Sequence, residues 1–192
     1  AARRTVHPER TPPEFRAAGH TLHAYHLLVA LQSAVEETDP AFFHYDANEL
    51  PEVLAPDKSI RVMIGAAYGV SSSVKTWSDT LYVEVNLNAG ASITLPDHTE
   101  EKAIYLVAGA LKVGETALPR HSMVIFDNST GIEVAAEENS RLVIIGGASL
   151  GKRTVWWNLV ASRKALIEKA KDDWQAGRFP KVPGEVEFIP LP

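Results

Sequence analysis

The clearest signal along the chain is a period of two. Over residues 80–87, Leu81, Val83, Val85 and Leu87 alternate with Tyr82, Glu84 and Asn86, the pattern of a strand that buries one face and wets the other. Asn88-Ala89-Gly90 then signals a turn, after which Ile93 and Leu95 resume the apolar face. Further short strands are predicted at residues 103–107, 110–113, 121–126, 132–134 and 142–145, punctuated by Gly109, Gly114, Asp127-Asn128 and Gly146-Gly147. Strands spaced by roughly ten residues with turn residues between them predict a sandwich or barrel over residues 59–146, not alternating strands and helices.

The N-terminal third has another texture. Residues 9–15 (ERTPPEF) predict a proline-stiffened loop, residues 21–31 a strand of mixed face, and residues 36–40 an acidic loop. Residues 48–56 contain two prolines and read as a connection between two units. This third is too short to close a barrel of its own. The opening AARRTVHPER, without an initiating Met, reads as the interior of something longer. At the other end the period changes to that of a helix. Ser162 is the expected N-cap, the helix runs to about Ala176, and Gly177 is its stop. Ile167, Ala170 and Trp174 form the buried stripe, with the charged side chains from Arg163 to Asp172 on a solvated face. An extended, proline-rich tail follows.

Composition narrows the classes of function. The 192 residues carry 24 acidic and 19 basic side chains, a net charge of −5 without a basic cluster, so direct nucleic-acid binding is not expected. The absence of cysteine excludes disulfides, zinc–thiolate sites, iron–sulfur clusters and thiol nucleophiles. No apolar run of about 18 residues and no secretion signal occurs, so no membrane association is expected and a cytoplasmic location is predicted.

The seven histidines are the richest source of chemistry. His98 and His121 stand among polar residues at loops or strand starts and read as surface histidines. His44, inside Phe42-Phe43-His44-Tyr45, reads as a structural hydrogen-bonder. On the predicted strand, His20 and His26 share one face and His23 takes the other, which excludes a three-histidine metal face. His7 and Glu9 differ. In extended chain, positions i and i+2 project to one side about 6.5–7 Å apart, so an imidazole and a carboxylate can meet on one divalent ion. Two ligands alone do not hold a metal, and by spacing alone such a pair is more often a surface coincidence. Ser71-Ser72-Ser73 lacks a nucleophile-elbow setting, and no glycine-rich phosphate loop precedes a helix. Trp156 and Trp157 point opposite ways in extended chain and read as packing residues.

Val6-His7-Pro8-Glu9-Arg10-Thr11-Pro12-Pro13-Glu14, then Leu22-His23, Glu36-Glu37 and Pro40-Ala41-Phe42, resemble the middle of the pirin family. Trp156-Trp157-Asn158-Leu159-Val160, residues 173–184 (DWQAGRFPKVPG) and residues 187–192 (EFIPLP) are similar to its closing segments. The resemblance runs in order over essentially the whole chain. It implies an all-β fold built on a cupin (double-stranded β-helix, jelly-roll) barrel, derived from a bicupin, with one C-terminal α-helix. Residues 1–56 would be the C-terminal remnant of the N-terminal, metal-binding cupin plus a linker. Residues 57–192 would be the C-terminal cupin barrel with its helix and proline-rich tail.

In pirins the N-terminal barrel holds iron through a His-x-His pair and a later His-x-Glu pair. The resemblance makes His7 and Glu9 the later pair and implies iron, or another divalent transition metal, provided that a His-x-His pair is supplied. That pair would lie upstream of residue 1, in a truncated or cleaved pirin, or come from another chain. In the second barrel, Leu95 and Asp97 fall where a metal-bearing cupin carries histidines, and Glu101 alone resembles a ligand position, so this barrel reads as metal-free and structural.

The activity implied is that of a quercetin 2,3-dioxygenase acting on a small, flavonol-like aromatic substrate. His7 and Glu9 would be metal ligands, with Glu9 also catalytic as acceptor of the substrate's hydroxyl proton. The alternative from another class is an iron-dependent, redox-sensing regulator that binds a protein partner without turnover, with Arg3, Arg4, Arg10 and Arg16 as its basic face. A third reading is an inactive scaffold. Strand edges left open where the first barrel is cut predict pairing with another chain or fragment.

Overall fold

Thr80–Leu87 forms the strand that the alternation predicts, but it is buried more thoroughly than expected. Leu81, Val83, Val85 and Leu87 are at most 2% exposed, as one buried face requires, yet Tyr82 and Glu84 on the other face are only 7% and 9% exposed. The reason is position. The strand lies inside a sheet with a partner on each side, and Glu84 accepts a 2.6 Å hydrogen bond from Arg141 Nε of the neighbouring strand. Asn86 is exposed as expected.

The computed structural model describes residues 6–7, 11–127 and 129–192. In chain order the strands are β1 (Glu52–Ala55), β2 (Lys58–Ile64), β3 (Ala66–Ala67), β4 (Val70–Ser71), β5 (Thr80–Leu87), β6 (Ser92–Thr94) and β7 (Glu101–Ala108). They continue as β8 (Leu111–Val113), β9 (Thr116–Leu118), β10 (Met123–Phe126), β11 (Glu133–Ala136), β12 (Ser140–Gly147), β13 (Thr154–Trp156) and β14 (Leu159–Ala161). The helices are α1 (Pro13–Ala18) and α2 (Lys164–Gln175).

Two units form, one from Phe43 to Ser149, the other from the segment up to Phe42 together with Leu150–Pro192. In the first, a six-stranded antiparallel sheet, β1-β2-β5-β12-β7-β10, and a four-stranded one, β6-β11-β8-β9, share one core. Val62, Val83, Ile104, Leu142 and Ile144 of the larger sheet and Val134 of the smaller are fully buried within it. Each such side chain contributes roughly 1.5–3 kcal/mol on burial. Two antiparallel sheets over a common core are what a jelly-roll barrel requires.

Several local expectations change. Residues 48–56, expected as a connection, contain β1, which pairs with β2 at the sheet edge; Pro51 and Pro56 flank it, where a missing N–H costs no ladder bond. The proline-stiffened loop turns into α1 at Pro13, because a fixed φ and absent N–H suit a helix start. Residues 21–31 are irregular rather than a strand: no described segment pairs with them, and without a partner the extended backbone has no ladder. The predicted C-terminal helix is present, with Ile167 buried, but Ser162 does not cap it. The cap position is Arg163, and the Ser162 hydroxyl is committed to Glu36. No helix among the described residues is long and apolar enough to cross a membrane.

The turn after β7 rests on Gly109. Its φ of +89° is in the left-handed region, and an added Cβ would lie 2.2 Å from Ser140 Oγ and 2.5 Å from the Asn139 carbonyl. Gly109→Ala is expected to cost about 3 kcal/mol or more in urea unfolding, from a left-handed penalty plus an overlap. Gly114→Ala, also left-handed but in open space, should cost only about 1 kcal/mol.

A histidine-bearing segment and a lysine inside the barrel

The segment that carries most of the candidate chemistry is positioned by side chains, since no ladder holds it. Arg153 donates from Nη2 to the Leu31 carbonyl at 3.1 Å and from Nη1 to the Leu150 carbonyl at 2.6 Å, joining two distant stretches of chain. A few residues on, Glu36 is 3% exposed and accepts from the Ser162 amide at 2.8 Å and the Ser162 hydroxyl at 2.5 Å. Burial alone would raise the Glu36 pKa. The Ser162 hydroxyl and amide and the charge of Arg153 act against it, and the net effect holds the carboxyl below its ordinary range.

His7 is exposed, and its ring lies edge-on to that of His26, with centroids 6.4 Å apart and an interplanar angle of 85°. Residues 21–31 have no strand alternation, so strand parity does not place these histidines, but His20, His23 and His26 still form no common face. His20 turns away instead, with Nδ1 3.4 Å from the Phe15 carbonyl, and His23 stands against Tyr25 at 5.4 Å. His44 Nε2 contacts Asp46 Oδ1 at 3.1 Å, a structural bond of the kind expected. Glu9 and three of the four candidate arginines, Arg3, Arg4 and Arg10, lie outside the described residues; Arg16 donates to the Thr11 carbonyl at 3.3 Å. Among the described residues no group of three or more His, Cys, Asp or Glu converges as a metal cluster.

The interior of the second barrel is built differently from the expectation. Leu95 is 2% exposed and has no donor atom. Glu101 is exposed, so the one residue resembling a ligand there points to solvent; the alternation of β7 turns Lys102 inward instead. The Lys102 side chain is 3% exposed, and its Nζ donates to Asp97 Oδ1 at 3.3 Å and to the Ser129 carbonyl at 3.2 Å. Asp97 is further held by the Gly131 amide, 3.1 Å from each oxygen. Thr99 lies on the same side: Gly146 pairs with Lys102 across the ladder, and a Cβ there would lie 3.0 Å from Thr99 Oγ1. Ala66, Ala67, Gly69, Val70, Ser71 and His98 line an open, mostly apolar cleft of about 420 Å³. Sequence reasoning missed both features. Lys102 could have been found by extending the strand predicted at 103–107 by one residue, since it shares the parity of Ile104 and Leu106; the cleft has no local signal.

The closing segment folds into an aromatic cluster. Trp157 sits in the two-residue turn between β13 and β14 with φ of +48°, which brings it 5.6 Å from Trp174. Trp174 stacks on Phe188 at 5.4 Å and meets Phe179 edge-on at 5.2 Å, while its Nε1 donates to the Ile189 carbonyl at 2.7 Å. The buried carboxylate of Asp173 accepts from Lys169 at 2.7 Å and Arg178 at 2.6 Å, pinning the stretch after α2.

The sequence profile of the Pirin C-terminal cupin domain matches residues 82–180, just over half of the chain. The chain belongs to the pirin family. A pirin-like protein of Caulobacter vibrioides is 37% identical over 92% of this chain and 62% of its own length. Human pirin is 27% identical over 67% of this chain and 47% of its own length. The chain thus spans about half to three-fifths of the pirins it matches. A quercetin 2,3-dioxygenase structure from Acinetobacter baumannii superposes with a TM-score of 0.74 at 24% identity, over 85% of this chain and 56% of that one. At that identity the likeness establishes the fold: a mostly β cupin with a C-terminal helix.

Two measurements test this architecture. Above the ordinary glutamate pKa of about 4.3, the depressed Glu36 carboxylate contributes stability, which is lost as pH falls through its lower folded value. The melting-temperature gap between the native chain and Glu36→Gln should therefore be full at pH 6 and shrink steadily between pH 4.5 and 3. In the barrel, Asp97→Ala leaves a buried ammonium with one carbonyl partner and should cost about 2–3 kcal/mol in urea unfolding, moderated because Asp97 is 44% exposed. Lys102→Met, which removes the buried charge and keeps the stem, should cost less than about 1.5 kcal/mol.

Proposed function

We propose that this pirin-family chain carries part of the metal centre of a flavonol-cleaving, quercetin 2,3-dioxygenase-type enzyme. What supports the reading is the pirin relationship over 92% of the chain together with His7-x-Glu9 at the position of the family's later ligand pair. Residues 1–56 are assigned to the metal-binding cupin with its linker, whose last residues form the edge strand β1, and residues 57–192 to the C-terminal cupin. Two further cupin ligands, a His-x-His pair, are supplied by a longer form of the protein or by a paired chain. The enzyme is placed in the cytoplasm.

The donor chemistry fits. An exposed imidazole with a carboxylate two residues on suits iron(II) or a similar first-row ion. The chemistry such an ion supplies is Lewis-acid polarisation of the substrate and reaction with dioxygen. His7 contributes a neutral ring nitrogen, and Glu9 a carboxylate that also takes the proton of the flavonol hydroxyl. In the second barrel the inward Lys102–Asp97 pair fills the corresponding place with an internal ion pair, so that barrel serves as scaffold.

The test is quercetin consumption with release of carbon monoxide in air, by the form of the protein in which the His-x-His pair is supplied, after anaerobic reconstitution with iron(II). Turnover is expected, and Glu9→Gln should lower kcat at least 100-fold while the protein still unfolds at the same urea concentration. Metal-loaded protein that does not consume quercetin overturns the dioxygenase reading. Redox-dependent capture of a protein partner would then favour the regulator.

A further inference from the structure

His7 and His26 have in common what the neighbouring histidines lack. His20 faces the Phe15 carbonyl and His44 is bonded to Asp46, whereas neither ring nitrogen of His7 or His26 is hydrogen-bonded to a described residue. Both rings are exposed, and they stand side by side although 19 residues separate them in sequence. Two free imidazoles in this relation are donors without a structural task. The segment that brings His26 there is fixed at its far end by Arg153 on the Leu31 carbonyl.

From this juxtaposition we infer that His26 supplies a second imidazole to the metal centre at His7, an inference that rests on the metal reading of His7 given above. The distances permit it. Two nitrogens on one ion at about 2.1 Å each lie at most about 4.2 Å apart, and rings whose centroids are 6.4 Å apart can present facing nitrogens at that separation. The edge-on angle of 85° keeps the rings from stacking, so that a nitrogen of each can turn to a shared point by side-chain rotation alone. Divalent first-row ions select this donor: neutral imidazole is a ligand for iron, copper, nickel and zinc. With His26, the chain brings two imidazoles of its own to the ion.

The experiment titrates the 192-residue chain with copper(II) alone, reading affinity by competition calorimetry and the number of bound imidazole nitrogens by pulsed electron paramagnetic resonance. Both histidines are exposed, so alanine replacements leave the fold intact, which circular dichroism checks. The expected result is one ion per chain with two imidazoles. His26→Ala should remove one imidazole signal and weaken binding at least tenfold, while His20→Ala changes neither. If His7→Ala abolishes binding and His26→Ala leaves affinity and imidazole count unchanged, the role of His26 is overturned and the metal reading of His7 stands. If the native chain binds no copper, or binds it equally well without His7, the metal reading fails and the inference with it.

Discussion

Strands β5, β12 and β7 must satisfy hydrogen bonds on both edges at once, and the arrangement of the first unit follows from that demand. A strand with neighbours on both sides has little open surface, so its apolar residues can face the shared core and its other face is still shielded. That is why Glu84 is buried and why arginines stand beside it: Arg61 lies opposite it on β2, and Arg141, which pairs with Asn86 in the β12 register, reaches it from two residues away. The sheet ends where this demand is relaxed. β1 and β10 have one neighbour each, and they carry the exposed Leu54 and Ile125.

The same demand explains the histidine segment by its absence. Residues 21–31 carry strand-forming side chains, but a strand is a property of a pair, and no described segment pairs with this one. Its course is set by point contacts instead: Arg153 on Leu31, Ser162 on Glu36, and ring against ring between His7 and His26. Side chains on such a segment are no longer sorted by parity, and His26 comes to lie beside His7, a neighbour that alternation within the segment does not address.

Inside the second barrel, alternation does hold, and it decides the chemistry by one position. Glu101 and Lys102 are adjacent, and β7 turns the first outward and the second inward. A buried ammonium then requires an acceptor, which Asp97 and the Ser129 carbonyl provide. The barrel interior is thereby given a fixed internal cation from its own chain.

By itself the sequence determined the elements whose signals are local. The strands from Thr80 to Gly147 other than β9 were legible because apolar alternation and Gly or Asn turns are written within each segment, and α2 because its stripe repeats at helical spacing. The family was legible because its motifs, above all the closing DWQAGRFPKVPG, are contiguous. Only the tertiary structure decided what depends on residues far apart in the chain: the burial of Tyr82 and Glu84, the commitment of Ser162 to Glu36, the inward ion pair of Lys102, and the approach of His26 to His7. Each is settled by a partner that local sequence does not specify, because packing and hydrogen bonding are satisfied across the fold and not along the chain.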